Sequence, residues 1–341
     1  MENVITGKYF QQDDFSQRER EVLKQIIKET GFKPEKEIFR GVIYEKDKVG
    51  SLIYKGEYEE KPAVLKLQGL RPEIDEAEMV NKFMKQNKSS IVRVPELYYY
   101  KTWSEDRGYG FLISEYIDAP KIFEPPFATE EQMAEFGRFY QDYRTLALTN
   151  PWLEPIAKDS LEFTLKRVEN WRKISEHKKR LKTEDYVPFL EKFDSLAKKH
   201  FPSIPLIFCH RHLTANDIYK MPDGSFVLFS NLFWSHCPQW YELAFNIWAC
   251  MQHIRDVNYS FKDLLAYIDK WCQFYHQIPI VQKDKDFDRK FNINLLERTM
   301  GAILVDIGVN GFYDKPENQK YFKHLLKLHQ QFFDYLAERL I

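Results

Sequence analysis

The segment Leu206-Ile207-Phe208-Cys209-His210-Arg211-His212-Leu213-Thr214-Ala215-Asn216-Asp217 sets two imidazoles and a carboxylate behind a short apolar run. An imidazole, with a free pKa of about 6.5, takes up a proton near neutrality. A carboxylate accepts a proton or ligates a hard cation. Upstream, Ala63-Val64-Leu65-Lys66-Leu67 places an ammonium in a strand-like run. A cation fixed on a rigid strand offsets polyphosphate charge; a strand lysine facing water is the plainer reading. Downstream, Phe226-Val227-Leu228-Phe229 leads into Ser230, and Gln239-Trp240-Tyr241-Glu242-Leu243-Ala244 puts an acid at the start of a helical pattern. Cys209, His210 and His212, with His236-Cys237 farther on, are also soft-metal ligands of the kind zinc takes. A thiol ending a buried strand and a packing histidine explain them more simply. Neither a Gly-x-Ser-x-Gly elbow nor a Walker Gly-x-x-x-x-Gly-Lys sequence occurs.

The elements that must hold these groups follow from periodicity. Phe15, Val22, Leu23, Ile26 and Ile27 share one face of a helix over 14–30, with Ser16 and Glu19 spaced as a capping box and Gly31 as its stop. The pattern then turns to period two. Strands are expected at 40–44, 51–58 and 63–67, the last two joined by a turn at 59–62. A helix over 73–87 follows, then strands at 95–101 and 109–116. Beyond Ala119-Pro120 and the Pro125-Pro126 stretch the pattern is helical, at 129–148, 161–182, 184–199, 240–255, 262–277, 290–309 and 318–341. Two short apolar strands, 205–209 and 225–229, interrupt it as a small inserted sheet. The reading is α+β and bilobal: a helical extension at 1–37, a β-rich lobe at 38–118, and a mainly helical lobe at 119–341 that includes 206–234.

Composition narrows the class. The 341 residues are 44% hydrophobic and 16% aromatic, which excludes disorder as the main state. Fifty Lys and Arg against 51 Asp and Glu leave a net charge of -1, which argues against wholesale nucleic-acid binding. Four cysteines with no Cys-x-x-Cys pair argue for a reducing compartment. No basic-then-apolar leader opens the chain, and charge interrupts every apolar run short of about 18 residues. A cytoplasmic protein without a membrane partner is the expectation.

In this order, these segments resemble the aminoglycoside phosphotransferase and choline kinase-like family, which has the protein-kinase-like fold, over about residues 38–310. The resemblance implies that Lys66 holds nucleotide phosphates and that Glu76, preferred over Glu78, pairs with it. Backbone groups of Glu115 and Ile117, in Phe111-Leu112-Ile113-Ser114-Glu115-Tyr116-Ile117-Asp118, would take the adenine edge. Gly50 and Ser51 are the phosphate contacts left in Glu45-Lys46-Asp47-Lys48-Val49-Gly50-Ser51. The family writes its catalytic loop His-Gly-Asp-Leu-His-x-x-Asn. Here His210 matches, Arg211 stands for the glycine, His212 for the catalytic Asp, and Asp217 for the metal-binding Asn. Glu242 matches the Asp that buttresses this loop, and counting back twelve residues puts Ser230 at the family's metal-chelating Asp.

A serine hydroxyl does not replace a carboxylate in holding Mg²⁺ against phosphate. The leading expectation is therefore a pseudokinase that binds a nucleotide such as ATP, or a small ligand, between the lobes. Mg²⁺ would be held weakly, by Asp217, and phosphoryl transfer lost or very weak. The alternatives are an active, atypical small-molecule kinase using Lys66, Asp217 and His212, and a non-catalytic protein-interaction scaffold. The basic run His177-Lys178-Lys179-Arg180-Leu181-Lys182 reads as a solvated helix end, and Tyr98-Tyr99-Tyr100 with Trp103 as a half-buried strand.

Overall fold

The computed structural model describes residues 10–11, 15–43, 48–69, 75–87, 89–149, 152–254, 256 and 258–341. In chain order its elements are β1 (Phe10–Gln11), α1 (Phe15–Thr30), β2 (Lys33–Ile43), β3 (Lys48–Tyr58), β4 (Lys61–Gln68), α2 (Glu76–Gln86), β5 (Val92–Arg93), β6 (Leu97–Ser104) and β7 (Tyr109–Glu115). There follow α3 (Glu130–Thr149), α4 (Ser160–Lys178), α5 (Thr183–His200), β8 (Leu206–His210), β9 (Ile218–Lys220), β10 (Phe226–Leu228), β11 (Trp234–Pro238), α6 (Tyr241–Met251), α7 (Phe261–Tyr275), the short α8 (Pro279–Gln282), α9 (Phe287–Gly301) and α10 (Gln319–Glu338). They form two compact units: the chain up to Ala119 with Met221–Leu232, and Pro120–Lys220 with Phe233–Ile341.

The first unit is an antiparallel sheet in the order β1-β3-β4-β7-β6, with β2 also on β3. Period two sets its faces. Ala63, Leu65 and Leu67 of β4 are fully buried against Leu52, Phe111 and Ile113, which sends Lys66 to the other face. Val22 and Ile26 of α1 and Phe32 close over the same core, so the N-terminal helix is part of this unit. Gly31, at φ +73°, ends α1 with its N–H on the Ile27 carbonyl. Tyr98 stacks on Tyr58 and Tyr99 on Phe111, which accounts for the tyrosine run as core cover.

Pairing corrects the expected inserted sheet. β8 runs antiparallel to β11, with Trp234 opposite His210, whereas β10 runs parallel to β5, with Phe226 opposite Val92. The two apolar runs at 205–209 and 225–229 are not each other's partners. β10 is fully buried along its length, so its sequence carries no alternation to name a partner. β11, Trp-Ser-His-Cys-Pro, is too polar to read as a strand.

The second unit is mainly helical. α6 is buried nearly all round, and α9 does not continue as the single helix expected over 290–309. It passes at Ala302–Ile307 into a π-helical turn that carries Asp306. The basic run is more tied down than a solvated end: Lys178 and Arg180 both pair with Asp314, and Arg180 also donates to the Ile307 carbonyl. Among the described residues no helix is long and apolar enough to cross a membrane.

The two-residue β3–β4 turn puts Glu59 at φ 49° and Glu60 at φ 63°. Left-handed backbone at a non-glycine residue costs about 1–2 kcal/mol, and Asn-Gly suits such a turn. Glu59→Asn with Glu60→Gly should raise stability by about 1–2 kcal/mol in urea unfolding; an unchanged or lower midpoint would refute that strain.

Candidate functional site

In the first unit, Lys66 lies on central β4, opposite Ile53 on β3 and Leu112 on β7. Its ammonium pairs with Glu76, the first residue of α2, while Glu78 is exposed. Asp75 caps α2 by accepting from the Ala77 N–H at 3.0 Å, and its other oxygen accepts from the Trp103 N–H at 3.1 Å. Burial raises the Asp75 carboxyl above its ordinary range despite those bonds. This cap fixes the start of α2 and hence the Glu76 carboxylate. The second Glu76 oxygen accepts the Asn231 backbone N–H at 3.2 Å, which draws the segment after β10 to the Lys66 pair. Ser230, next to it, has left-handed backbone at φ 57°. A non-glycine residue held there points to a constrained position of the kind found at ligand sites.

Glu115 ends β7, but its carboxylate is committed to Arg93, at 2.6 and 2.9 Å, and to the Glu96 N–H at 3.2 Å. Its backbone N–H donates to the Glu96 carbonyl at 2.9 Å. Ile117 is buried just beyond the strand. Gly50 and Ser51 lie within β3 and not in a loop; residues 44–47 of the expected glycine-containing loop fall outside the described residues.

In the second unit, β8 delivers His210 and the loop after it. His210 is fully buried, its N–H donating to the Tyr143 hydroxyl at 2.6 Å and its ring edge-on to Trp234. His212 is 40% exposed and stacks on Phe233, with centroids 4.5 Å apart. Its Nδ1 lies 2.9 Å from Asp217 Oδ2, and the same oxygen accepts the Thr214 hydroxyl at 3.1 Å. Asp217 is 6% exposed. The structure therefore brings His210, His212 and Asp217 into one loop, with the acid serving the histidine and the loop itself.

Beneath the loop lies a buried polar network. Glu242, on α6, is fully buried; it accepts the Tyr140 hydroxyl at 2.9 Å and pairs with Arg144 at 3.4 Å. Arg144, 2% exposed, also donates to the Phe208 carbonyl of β8 at 3.1 Å. Burial opposes the Arg144 charge, yet Glu242 holds its pKa above the ordinary value, and burial raises both tyrosines well above theirs. Tyr140, Tyr143 and Arg144 were not singled out from sequence. The signal was present: an arginine at the i+8 position of the stripe begun by Phe136. Asp306 was also missed. It stands 3.7 Å from Arg298, and burial pushes its carboxyl up to about 6 against that cation.

The soft-metal reading does not gather ligands. Cys209 and Cys237 pack in an apolar cluster with Phe163, Tyr241 and Phe245, and burial and the neighbouring thiol push the Cys209 pKa up. Among the described residues no three His, Cys, Asp or Glu side chains are grouped to hold a metal ion.

The antiparallel β unit and the mainly helical unit have the protein-kinase-like fold. Three solved structures give the comparison. Aminoglycoside phosphotransferase APH(4)-Ia, in a thermostable apo form, has TM-score 0.62 at 10% identity, covering 93% of this chain and 98% of its own. Amicoumacin kinase hAmiN, in complex with AMP-PNP, Ca²⁺ and Ami, has TM-score 0.62 at 13% identity over 95% and 96%. An ethanolamine kinase from Plasmodium vivax has TM-score 0.54 at 13% identity over 92% and 85%. No protein-family model and no curated protein matches the sequence.

Two predictions follow from these geometries. Losing one partner of a buried ion pair costs about 3–5 kcal/mol. Arg144→Met should therefore destabilise the chain by that amount in urea unfolding, and adding Glu242→Gln should recover part of it; a loss below about 1 kcal/mol would show the pair to be idle. For Asp306, a folded value near 6 against an ordinary 3.8 means the folded chain binds this proton more tightly. Stability is then lost as pH rises from about 4 through 6. The melting temperature of the wild type relative to Asp306→Asn should fall across that window, and parallel profiles would contradict it.

Proposed function

We propose that this chain is a degenerate relative of the small-molecule kinases that binds a nucleotide and a small hydroxylated ligand, with phosphoryl transfer lost or very weak. The reading is carried by one observation: where the resemblance calls for a free catalytic acid stands His212, and the adjacent Asp217 gives its Oδ2 to His212 and Thr214.

The residues present fit a nucleotide. Lys66 is held by Glu76 at the place that would meet phosphates, and Asn231 steadies that pair from the Ser230 segment. The backbone of Glu115 and Ile117 would serve the adenine edge, and such contacts survive side-chain change. Among neighbours of the same fold, APH(4)-Ia is known in ternary complexes with ADP or AMP-PNP and hygromycin B.

The residues do not fit Mg²⁺ as a catalytic ion. Ser230 offers a neutral hydroxyl, and Asp217 is an engaged carboxylate. Electrostatic stabilisation supplies most of phosphoryl-transfer catalysis, so losing these anchors removes most of the rate.

A second reading has one observation in its favour. A His212 tautomer that donates Nδ1–H to Asp217 keeps a lone pair on Nε2, the arrangement of a general base. It makes the chain an atypical ATP-dependent kinase of a hydroxyl acceptor.

Melting scans with ATP, with and without Mg²⁺, and ATP consumption over a panel of amines and sugars separate the two. The leading reading expects a metal-independent stabilisation by ATP that Lys66→Met removes, no turnover in the wild type, and turnover gained by His212→Asp with Ser230→Asp. Acceptor-dependent ATP consumption abolished by His212→Asn would establish the second reading. No response to ATP in either assay would refute both.

A further inference from the structure

A half-open groove of about 380 Å³ runs between α4 and α5, the two helices joined by residues 179–182. Leu165 and Val168 of α4 and Leu190 and Phe193 of α5, each pair three residues apart, supply its apolar lining. Val168 and Phe193 are buried, while Leu165 and Leu190 are half-buried and still meet water. The rest of the lining is Glu169, Glu191 and Asp194: three carboxylates and no cation. No residue assigned above to a nucleotide or to the loop after β8 takes part in it.

The rim is open to a cationic guest. Glu191 is exposed and makes no ion pair or hydrogen bond among the described residues. Glu169 is shared between Arg172 at 2.8 Å and Lys173 at 3.5 Å, and Asp194 takes Lys198 at 2.5 Å, each partner lying on the same helix as its acid. Exposed pairs within one helix are weak, so cations from a guest exchange with them readily. The backbone of two helices offers no free donors or acceptors along its middle, and an extended peptide laid there would bury its own N–H and C=O groups unpaired. A helix satisfies its backbone internally and seats a ridge of side chains between two others. A small cation would match the rim and leave the leucines wet. A neutral apolar guest would cover the leucines and leave three carboxylates against it.

We propose that the α4–α5 groove docks a basic amphipathic helix of a protein partner. The apolar stripe of that helix covers Leu165, Val168, Leu190 and Phe193, and its flanking lysines or arginines meet Glu169, Glu191 and Asp194. Such docking goes beyond the nucleotide reading and requires neither ATP nor any residue of the loop after β8.

Fluorescence anisotropy with the full chain and a labelled peptide tests it. The probe is a peptide of about 14 residues, or about four helical turns, with leucines at i, i+3, i+4 and i+7 and lysines elsewhere. It should bind with a Kd of about 1–10 μM. The same residues rearranged in alternation should bind at least about tenfold more weakly, because no helix face then gathers the leucines. Glu191→Lys with Asp194→Lys should weaken the probe at least about tenfold, and Leu190→Ala about threefold. Glu35→Lys with Glu60→Lys, an equal charge change at exposed positions of the β unit, should leave it within about twofold. Melting curves read folding separately. Where the double rim variant melts early, Glu191→Gln repeats the test at an exposed position, with about threefold weakening expected. Equal binding of the alternating isomer, or full displacement by spermine at the probe's own concentration, would overturn the proposal in favour of charge alone. An unaffected rim variant, or no anisotropy change at about 100 μM chain, would overturn it outright. Stabilisation by ATP, measured on the same protein, judges the nucleotide reading independently.

Discussion

A carboxylate taken wholly out of water must be matched, and in the helical unit that demand falls on Glu242. Arg144 and Tyr140 answer it, and Arg144 reaches on to the Phe208 carbonyl of β8. The strand that delivers His210, and with it the whole loop to Asp217, is thus tied to α3 and α6 by one buried charge pair. Tyr143 adds a second tie at the His210 N–H. A loop held this firmly keeps its shape without any help from a metal.

The β unit repeats the principle on a smaller scale. Lys66 is displayed by a central strand, and its charge is set by Glu76 at a capped helix start. The Asn231 N–H on that carboxylate couples the pair to the backbone beside Ser230. The cation is thereby positioned by structure, independent of ligand. A preset cation favours an anionic guest because the ordering has been done on folding.

How much of this was legible in the sequence depended on whether each signal was local. The period-two runs gave the β3–β4–β7 strands, and Ala63, Leu65 and Leu67 placed Lys66 on the opposite face. The three- and four-residue spacings gave α1 to α3 and the later helices. Counting along the chain linked Glu242 to Ser230, which has left-handed backbone, as Glu59, Glu60, Lys179 and Trp240 also do. The partner of β10 was not legible, because a strand buried on both faces has no alternation to orient it. The break of α9 into a π-helical turn was not legible either, since it trades one hydrogen-bond register for another without a glycine or proline to mark the place.

The sequence alone determined which side chains exist to do chemistry: an ammonium on a strand, two imidazoles and a carboxylate in one short segment, and the α+β order of elements around them. Those are properties of residue type and short-range spacing. Only the tertiary structure decided what each group is doing. Asp217 is occupied by His212, Glu242 is matched by an arginine about a hundred residues earlier in the chain, and Arg298 is stacked on rings with its Nε unmet. Apart from the local His212–Asp217 contact, these pairings join positions far apart in the chain, and burial, which gives them their energy, exists only once the chain has folded.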